Sequence, residues 1–307
     1  MSEILDSIII GSGPAGLSAA VYGKRAALSL IVVEKEYEGT GQIAESARVD
    51  NYLGLPGIDG YELGEKFREH ALQLGVDFVE QEVVKIEPVL TPEKEKLWLI
   101  TFADDSLQLA KTVIYAAGAS PRRLGVPGES EYAGKGVSFC AICDGSFYKD
   151  KVVAVIGGGD TALDDALYLS KISKKVYLIH RRDEFRGAAK SVELVQKTDN
   201  IELILNATVE EIRGGNKVSG LVLQDGKELE VDGIFLAIGS VPQTHLLKGL
   251  TALDEQGYVI ADESGRTESD GLFVAGDVRT KSLRQVVTAV ADGASAVTSA
   301  VEYLRLM

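Results

Sequence analysis

The apolar residues of this chain fall into short runs that are separated by glycine turns and by stretches of small residues. The β-branched run at residues 8–10 is followed by the turn Gly11-Ser-Gly-Pro-Ala-Gly16 and then by small residues typical of a helix start. A second apolar run, at residues 28–33, ends at Glu34. The order strand, helix, strand predicts a βαβ unit in a parallel sheet.

The same pattern returns near the middle of the chain. Residues 151–156, which are apolar after Lys151, predict a strand, and the turn Gly157-Gly-Gly-Asp-Thr-Ala162 follows it. Residues 163–170 then continue as a predicted helix, and residues 176–179 form the next predicted strand. The chain therefore contains two βαβ units of the same design.

Two matching segments, residues 113–121 and 234–242, mark where the chain is expected to cross between domains. Each has an apolar strand pattern, a glycine, and a proline three residues later, and these residue types interrupt regular structure. We therefore expect an α/β fold with two Rossmann-like dinucleotide-binding domains, the second inserted in the first. The first domain would comprise residues 1–117 and 244–307, and the second domain residues 118–243.

The segments between these landmarks carry weaker patterns. Residues 83–102 predict strands around a turn at residues 87–96. Residues 201–231 predict a small meander, with turns at residues 214–215 and 225–226. These predictions concern the fold alone.

The charge balance excludes one broad class of function. The 307 residues include 46 acidic and 32 basic ones, which gives a formal charge of -14 at pH 7. Because nonspecific nucleic-acid binding depends on neutralising phosphates, we expect no nucleic-acid partner. The longest uncharged stretch, residues 7–23, is broken by glycines and is too short to span a membrane. The chain begins with acidic Glu3 and Asp6, unlike a signal peptide, so we expect a cytoplasmic protein without membrane association.

The first glycine turn has the Gly-x-Gly-x-x-Gly spacing of a dinucleotide-binding site. Gly11 would allow the tight turn, Gly13 would let the backbone approach a pyrophosphate, and Gly16 would let the helix pack on the strand. Glu34 follows at the distance expected for an acid that binds ribose hydroxyls. The alternative is a purely structural turn, which the flanking strand, helix and acid disfavour.

The second glycine turn repeats this spacing with Gly157, Gly159 and Ala162, but the segment after its next strand is basic. That segment contributes His180, Arg181, Arg182 and Arg186. Arginine at this place suits an adenosine 2′-phosphate, which an acid would repel. The alternative is a solvated basic loop. One acid-terminated and one arginine-terminated site predict FAD at the first turn, NADPH at the second, and hydride transfer between them.

The two cysteines lie together in Cys140-Ala-Ile-Cys143, and Asp144 follows at once. Structural disulfides are rare in cytosolic proteins, so this spacing indicates a redox-active or metal-binding pair. Asp144 could pass protons as thiolates form and leave. Zinc needs about four ligands, and His70, His180 and His245 are distant in the sequence, so we expect no metal. The other alternative is an inert buried pair.

Together these residues resemble the low-molecular-weight thioredoxin reductases of bacteria and archaea, over nearly the whole chain. The most specific feature is the segment Cys140-Ala-Ile-Cys143-Asp144 between two nucleotide-binding turns. The other shared motifs are the two glycine turns, Gly41-Gln42, Asn51-Tyr52, His180-Arg-Arg-Asp-Glu-Phe-Arg186, Gly276-Asp277 and Arg284-Gln285.

The resemblance implies an FAD site that is built from both segments of the first domain. Glu34 would bind a ribose, Gly276 and Asp277 would contact the ribityl chain and pyrophosphate, and residues 284–286 would cradle the isoalloxazine. The residues implied for FAD are Gly11, Gly13, Pro14, Ala15, Gly16, Glu34, Lys35, Gly41, Gln42, Asn51, Gly118, Gly276, Asp277, Arg284, Gln285 and Val286.

The resemblance also implies an NADPH site and three catalytic residues in the second domain. Cys140 would attack the partner's disulfide, Cys143 would face the flavin, and Asp144 would be the acid/base. The second domain would rotate between two states about hinges near residues 117–121 and 239–243. The residues implied for NADPH are Gly157, Gly159, Asp160 and Thr161 at the pyrophosphate, with His180, Arg181, Arg182 and Arg186 at the 2′-phosphate.

The implied function is an NADPH-dependent thioredoxin-disulfide reductase that acts as a homodimer. Electrons would pass from NADPH through FAD to the Cys140–Cys143 disulfide, and then to thioredoxin or a similar small dithiol protein. Two alternatives stay open. One is a flavin reductase that serves another dithiol protein or uses a donor other than NADPH, and the other is a nucleotide-binding redox sensor without turnover.

Overall fold

A computed structural model describes residues 3–35, 37, 40–46, 48–92 and 94–307. The strands, in chain order, are β1 (Leu5–Ile10), β2 (Leu30–Glu34), β3 (Asp77–Glu80), β4 (Val83–Leu90), β5 (Lys96–Phe102), β6 (Leu107–Tyr115), β7 (Ala119–Pro121), β8 (Val137–Ser138), β9 (Val152–Ile156), β10 (Lys175–Ile179), β11 (Ile201–Ile204), β12 (Val209–Gly214), β13 (Val218–Leu223), β14 (Glu228–Glu230), β15 (Gly233–Leu236), β16 (Ser240–Pro242) and β17 (Leu272–Val274). The α-helices are α1 (Pro14–Arg25), α2 (Gly60–Gln73), α3 (Ala141–Asp144), α4 (Asp160–Ser170), α5 (Ala189–Lys197) and α6 (Val286–Leu306). Short 3₁₀ helices occur at Gly41–Glu45, Gly145–Tyr148, His245–Leu247 and Gly276–Val278. Within these described ranges, no helix is long and apolar enough to cross a bilayer.

The chain divides into two compact units. The first unit consists of Met1–Ser120 and Val241–Met307, and the second unit consists of Pro121–Ser240. The two crossings run through the short strands β7 and β16, which pair in a two-stranded sheet. The second unit is therefore an insertion between two segments of the first.

The first unit is built on one mixed sheet. Strands β3, β2, β1 and β6 are parallel in that order, β17 also runs parallel to β6, and β5 and β4 continue the sheet in antiparallel pairing. Strand β1 is buried on both faces, because Ile9 packs with residues of α1 and α6 while Ile8 and Ile10 pack with Trp98 in a separate cluster. Burial on both faces explains why residues 8–10 of this strand are all isoleucine.

Helices α1 and α6 pack closely against each other in the first unit. A Cβ atom on Gly293 would lie 2.0 Å from the carbonyl oxygen of Ala15, so this approach requires glycine. The hydroxyl of Ser18 donates a hydrogen bond to the carbonyl oxygen of Val290 at 2.6 Å. The C-terminal helix is thereby held against the helix that follows the first glycine turn.

The second unit contains a parallel sheet and a small antiparallel one. The parallel sheet has the order β11-β10-β9-β15-β8, and β12, β13 and β14 form the antiparallel sheet. Alternate residues of β9 face opposite sides, since Val153 and Val155 pack with α4 whereas Ala154 and Ile156 pack with residues of the antiparallel sheet. The α/β architecture with two Rossmann-type βαβ units is confirmed.

Two local sequence predictions were wrong. The turn expected over residues 87–96 is shorter, because β4 continues through Leu90, where it pairs with Lys96 at the start of β5. Residues 201–204 do not belong to the meander but form β11, whose Ile201 pairs in parallel with Val176. A short apolar run predicts a strand without showing which neighbour it will pair with, and that choice was missed here.

Candidate functional site

The first glycine turn joins β1 to α1 in a conformation that two of its glycines make possible. Gly11 has a φ of +106°, and a Cβ atom there would lie 2.5 Å from the carbonyl oxygen of Ala116. A Cβ atom on Gly16 would lie 1.9 Å from the carbonyl oxygen of Gly11. The packing of the turn on its own helix and strand therefore requires both glycines.

Gly13 and Gly159 are glycines for a different reason. Gly13 is the N-cap of α1 with a φ of -71°, and the nearest described atom to its Cβ position is the carbonyl oxygen of Thr40 at 3.8 Å. Gly159 is the N-cap of α4 with a φ of -99°, and no described atom lies within 4 Å of its Cβ position. A side chain at either position would fill the space in front of a helix N-terminus, where pyrophosphates bind. Both turns therefore fit a dinucleotide.

Segments that are distant in the sequence converge on the N-terminus of α1. Gly41 begins a 3₁₀ helix, and its Cβ position is 3.6 Å from the Cα atom of Gly13. Gly276 adopts a φ of +80°, and its Cβ position is 2.9 Å from the Cβ atom of Ala15. The two segments predicted to contact FAD at positions 41 and 276 thus meet the first glycine turn within one unit.

The start of α6 joins this group through side-chain contacts. Gln285 is the N-cap of α6 and forms a capping box with Thr288. The amide of Asn51 donates to the Oε1 atom of Gln285 at 2.9 Å. The guanidinium carbon of Arg284 lies 4.0 Å from the centre of the Tyr258 ring, while its buried Nε atom has no hydrogen-bond partner in the described part of the chain. The loop at Asn51 is therefore tied to the segment predicted to hold the isoalloxazine.

A buried carboxylate on α6 fixes the turn at Gly276. Asp292 accepts hydrogen bonds from the Gly276 amide at 2.9 Å, from Arg279 at 2.9 and 2.7 Å, and from Lys281 at 2.9 Å. Burial raises the pKa of Asp292, but the hydrogen bonds from Arg279 and Lys281 outweigh it, so the pKa lies below its ordinary value. Asp292 is therefore ionised and holds two cations beside the turn.

Asp277 has an acceptor atom that the described protein groups leave unused. Its Oδ1 atom is buried and accepts no hydrogen bond from the described residues, with the Nζ atom of Lys281 3.9 Å away. Burial raises the pKa of Asp277, and the neighbouring Lys281 and Arg284 offset this only in part. Buried acceptors are normally paired. The hydroxyl groups of a ribityl chain would supply the missing donor, so this turn fits a flavin nucleotide.

Glu34 lies at the end of β2, and a residue that the sequence did not suggest holds its carboxylate. Arg68 on α2 donates to both oxygens of Glu34, at 2.9 and 2.7 Å. Each carboxylate oxygen has a further lone pair, so the predicted hydrogen bonds from ribose hydroxyls remain available. Lys35 instead forms an exposed ion pair with Glu82, with the Nζ and Oε1 atoms 3.0 Å apart.

The second glycine turn packs against the residue that follows β10. A Cβ atom on Gly157 would lie 2.3 Å from the carbonyl oxygen of Ala237, and one on Gly158 would lie 2.1 Å from the His180 ring. His180 is buried and stacks on Phe185, with 5.4 Å between the ring centres. Burial lowers the pKa of His180, and the nearby arginines lower it further, which favours a neutral imidazole against the turn.

Three arginines surround this turn without acidic partners. Arg181, Arg182 and Arg186 are exposed, and none of them forms an ion pair with a described carboxylate. The backbone amide of Arg186 donates to the carbonyl oxygen of Gly158 at 2.8 Å, which places this residue beside the turn. Unpaired positive charge next to a pyrophosphate-type turn fits an additional phosphate.

The first turn of α4 closes the opposite side of the same site. The Oδ1 atom of Asp160 accepts from the backbone amide of Ala188 at 2.7 Å, so the loop that follows the arginines is tied to the helix start. Thr161 is exposed in the same helical turn. The predicted NADPH residues therefore surround the N-terminus of one helix.

Cys140 and Cys143 are joined by a disulfide at the start of α3. The Sγ atom of Cys140 accepts a hydrogen bond from the backbone amide of Cys143 at 3.2 Å. The hydroxyl of Ser138 accepts from the Cys140 amide at 3.1 Å and donates to the carboxyl group of Asp144 at 2.6 Å. The disulfide and the predicted acid/base thus share one local network, in which Ser138 was not predicted.

Burial raises the pKa of Asp144, and the hydrogen bond from Ser138 offsets part of that shift. The carboxyl group therefore keeps its proton to higher pH than an exposed aspartate, as a proton donor to a thiolate requires. Burial, with the charges of Asp144 and Asp232, raises the pKa of Tyr148 to about 12, so its hydroxyl stays neutral. This arrangement can accept electrons at sulfur and exchange a proton next to it.

The structure gathers the predicted residues by unit. All residues predicted for FAD lie in the first unit, including Gly118, whose carbonyl oxygen accepts from the Gln243 amide at 3.0 Å. All residues predicted for NADPH and for catalysis lie in the second unit. Sequence reasoning missed Arg68, Ser138 and Asp292. Of these, only Asp292 could have been identified from a sequence feature, because it is the one charged residue in α6 before Glu302.

Comparison with known proteins gives consistent matches over the whole chain. Residues 5–293 match a family model described as pyridine nucleotide-disulphide oxidoreductase. The thioredoxin reductase of Peptoclostridium acidaminophilum is 41% identical, over 99% of this chain and 98% of the relative. The thioredoxin reductase of Bacillus subtilis strain 168 is 41% identical, over 99% and 96% respectively. The crystal structure of thioredoxin reductase from Streptococcus pyogenes MGAS5005 superimposes with a TM-score of 0.93 at 38% identity and covers 100% of both chains.

Proposed function

Since the chain belongs to the pyridine nucleotide-disulphide oxidoreductase family and, within it, to the low-molecular-weight thioredoxin reductases, we propose that it is an NADPH-dependent flavoprotein that reduces the disulfide of thioredoxin. One observation carries the proposal. A disulfide next to a half-buried acid lies in the same unit as a glycine turn that is flanked by unpaired arginines. The cysteine pair, the electron-donor site and the proton donor of a disulfide reductase are thus present together.

FAD is assigned to the first unit and NADPH to the second. The first glycine turn would hold the FAD pyrophosphate, Glu34 a ribose, and Asp277 the ribityl chain, while Arg284, Gln285 and Val286 would flank the flavin ring. Gly159 and the start of α4 would hold the NADPH pyrophosphate, with Arg181, Arg182 and Arg186 at its 2′-phosphate. The open space at Gly13 and Gly159 and the orphaned oxygen of Asp277 support this assignment. When bound, the two cofactors would supply the electron pair that opens the Cys140–Cys143 disulfide.

The residues of the second unit then carry out thiol–disulfide exchange. The Cys140 sulfur attacks one sulfur of the partner's disulfide, and a mixed disulfide forms as the other partner sulfur leaves as a thiolate. Asp144 gives that thiolate a proton. The Cys143 thiol next passes its proton to the Asp144 carboxylate and attacks the Cys140 sulfur, which restores the Cys140–Cys143 disulfide. The second partner sulfur leaves as a thiolate and takes a proton from water. The amide of Cys143, which donates to the Cys140 sulfur, would stabilise negative charge on the attacking atom.

A pair of serine variants tests this division of roles. In Cys140→Ser, NADPH should still bleach the flavin, because the electron path up to the disulfide pair is intact, whereas thioredoxin reduction should fall to background. Cys143→Ser should likewise lose thioredoxin reduction and should instead retain a Cys140 thiol that forms a stable mixed disulfide with thioredoxin. Normal thioredoxin turnover by Cys140→Ser would refute the assignment.

The partner is assigned by comparing purified thioredoxin with a glutaredoxin-like dithiol carrier under the same conditions. We expect turnover with thioredoxin and little with the carrier. Preference for the carrier would support the alternative of a reductase for another dithiol protein. Flavin bleaching without turnover of either would point to a redox sensor.

The proposal also includes the oligomeric state of the protein and its cellular compartment. Members of this family are expected to be homodimers, and light scattering of the purified holoenzyme should give twice the mass of 32.8 kDa. A cysteine pair that is reduced in each cycle suits the reducing cytoplasm. A monomeric mass at working concentration would contradict the dimer.

A further inference from the structure

We infer that Arg68 is a positioning residue for the adenosine end of the FAD site and that it sets the preference of this chain for FAD over flavins without adenosine. The inference rests on the proposed placement of FAD along the first glycine turn. Neither a motif nor a spacing in the sequence marks Arg68. Its role is inferred from its contacts with neighbouring side chains.

The first of these contacts is with the acid at the end of β2. The two guanidinium nitrogens of Arg68 donate to the two oxygens of Glu34, at 2.9 and 2.7 Å. The Glu34 side chain is only 4% exposed and that of Arg68 17% exposed, so water screens this pair weakly. A two-pronged arginine–carboxylate contact fixes the plane of the carboxylate as well as its position. The remaining lone pair on each oxygen of Glu34 therefore points in a fixed direction.

Two aromatic rings fix the guanidinium itself. Its central carbon lies 4.2 Å from the centre of the Tyr37 ring and 3.9 Å from the centre of the Phe78 ring. Phe78 lies on β3, where it pairs with Val32 of β2 and so flanks the strand that ends at Glu34. The buried hydroxyl of Tyr37 has no hydrogen-bond partner among the described residues, which leaves a polar atom for a ligand beside the pair.

The helix that carries Arg68 is itself fixed. Asp59 caps its N-terminus by accepting from the amides of Tyr61 and Glu62, at 2.9 and 3.2 Å. The neighbour of Arg68, Phe67, packs into the core and against the Tyr52 ring with 5.4 Å between ring centres. The Arg68 side chain is therefore already ordered before a ribose binds, so binding requires little reorganisation of this residue.

Removing the guanidinium would leave Glu34 as a buried carboxylate without a charge partner. Such a group turns towards solvent or takes up a proton, because an uncompensated buried charge is costly. Either change removes acceptors that the ribose hydroxyls of FAD require. The flavin end is held by the separate group around Gly276 and Asp292, so binding of a flavin without adenosine should be unaffected.

The test starts from the purified full-length protein, from which the flavin is removed. The dissociation constants of FAD and of FMN for this apoprotein are then measured by the quenching of flavin fluorescence. Arg68→Met removes the guanidinium, and Arg68→Lys keeps the charge without the two-pronged contact. Lys66→Ala is the matched control, because it removes a cation from the same helix whose exposed ion pair is with Glu62 at 3.3 Å. Circular dichroism shows whether each variant is folded. If Arg68→Met is not folded, the comparison of FAD and FMN binding is made with Arg68→Lys alone.

We expect Arg68→Met to weaken FAD about tenfold, the loss of one charge-assisted contact, while FMN binding is unchanged. Arg68→Lys should lie between Arg68→Met and the parent protein, and Lys66→Ala should match the parent. Equal weakening of FAD and FMN would show a merely structural role, and no weakening of FAD would likewise overturn the inference. Failure of the parent protein to bind FAD would instead refute the proposed function.

Discussion

Among single residues, Asp144 links burial to chemistry most directly. Its pKa is raised by burial and lowered by the Ser138 hydrogen bond, with burial dominant. In the proposed mechanism the protonated form is the proton donor, so the rate of disulfide exchange should fall as pH rises through this pKa. Ser138→Ala removes the lowering contact, which raises the pKa further and should move the fall to higher pH.

The pH dependence of thioredoxin turnover measures this shift. Asp144→Asn should abolish the fall and lower the rate by about a hundredfold or more, the usual contribution of a general acid. Ser146→Ala is a suitable control, because Ser146 is exposed in the neighbouring 3₁₀ helix. A profile for Ser138→Ala that moves to lower pH would contradict the role of Asp144.

We propose that single residues also set the choice of electron donor. Replacing Arg181, Arg182 or Arg186 by alanine removes a cation that would bind the 2′-phosphate, so the KM for NADPH should rise roughly tenfold or more. The KM for NADH should not change, because NADH lacks that phosphate. Lys174→Ala is the control, since it removes an exposed cation just before the opposite end of β10. Equal effects on both nucleotides would show that the arginines act on the fold.

At the level of elements, α6 connects two halves of the first unit. Within one turn it provides Val290 and Gly293 to α1 and Asp292 to the turn at Gly276. Asp292→Asn preserves the shape but removes the counter-charge of buried Arg279 and the nearer of the two carboxylates beside Lys281. Breaking a buried ion pair in this way should lower the free energy of unfolding by about 3–5 kcal/mol.

Urea unfolding of the holoenzyme measures this loss. Glu302→Gln is the control on the same helix, because its ion pair with Arg266 has side chains that are 60% and 44% exposed. An exposed pair contributes up to about 1 kcal/mol, so the control should change little. Similar losses of unfolding free energy for both variants would show that Asp292 stabilises the unit no more than an exposed carboxylate does.

The elements also show how far the sequence predicts the structure. The two βαβ units were predictable because β1 and β9 are buried on both faces and end at glycines that packing requires. The partner of β11 was not, since pairing with β10 depends on contacts outside the local pattern. Arg68 meets Glu34 across 34 positions of sequence, and no periodicity connects two such charged residues. Asp292 was easier to predict from the sequence, because a lone acid in an apolar helix normally has a buried partner.

For the whole molecule, each proposed cofactor site lies within one compact unit, although the chain of the first unit is interrupted. The net charge of -14 is distributed so that the second unit still presents three arginines without acidic partners among the described residues. A negative protein repels a phosphorylated nucleotide, so recognition of the proposed NADPH would have to come from these local cations. We therefore propose that electrons enter at this arginine-flanked turn and leave through the cysteine pair.

An anaerobic spectral titration of the purified protein tests this electron path. NADPH should bleach the oxidised flavin absorbance rapidly at near-stoichiometric amounts, and NADH should do so only at much higher concentration. Thioredoxin disulfide added afterwards should restore the absorbance. A flavin that neither nucleotide reduces, or that NADH reduces as readily as NADPH, would contradict the account.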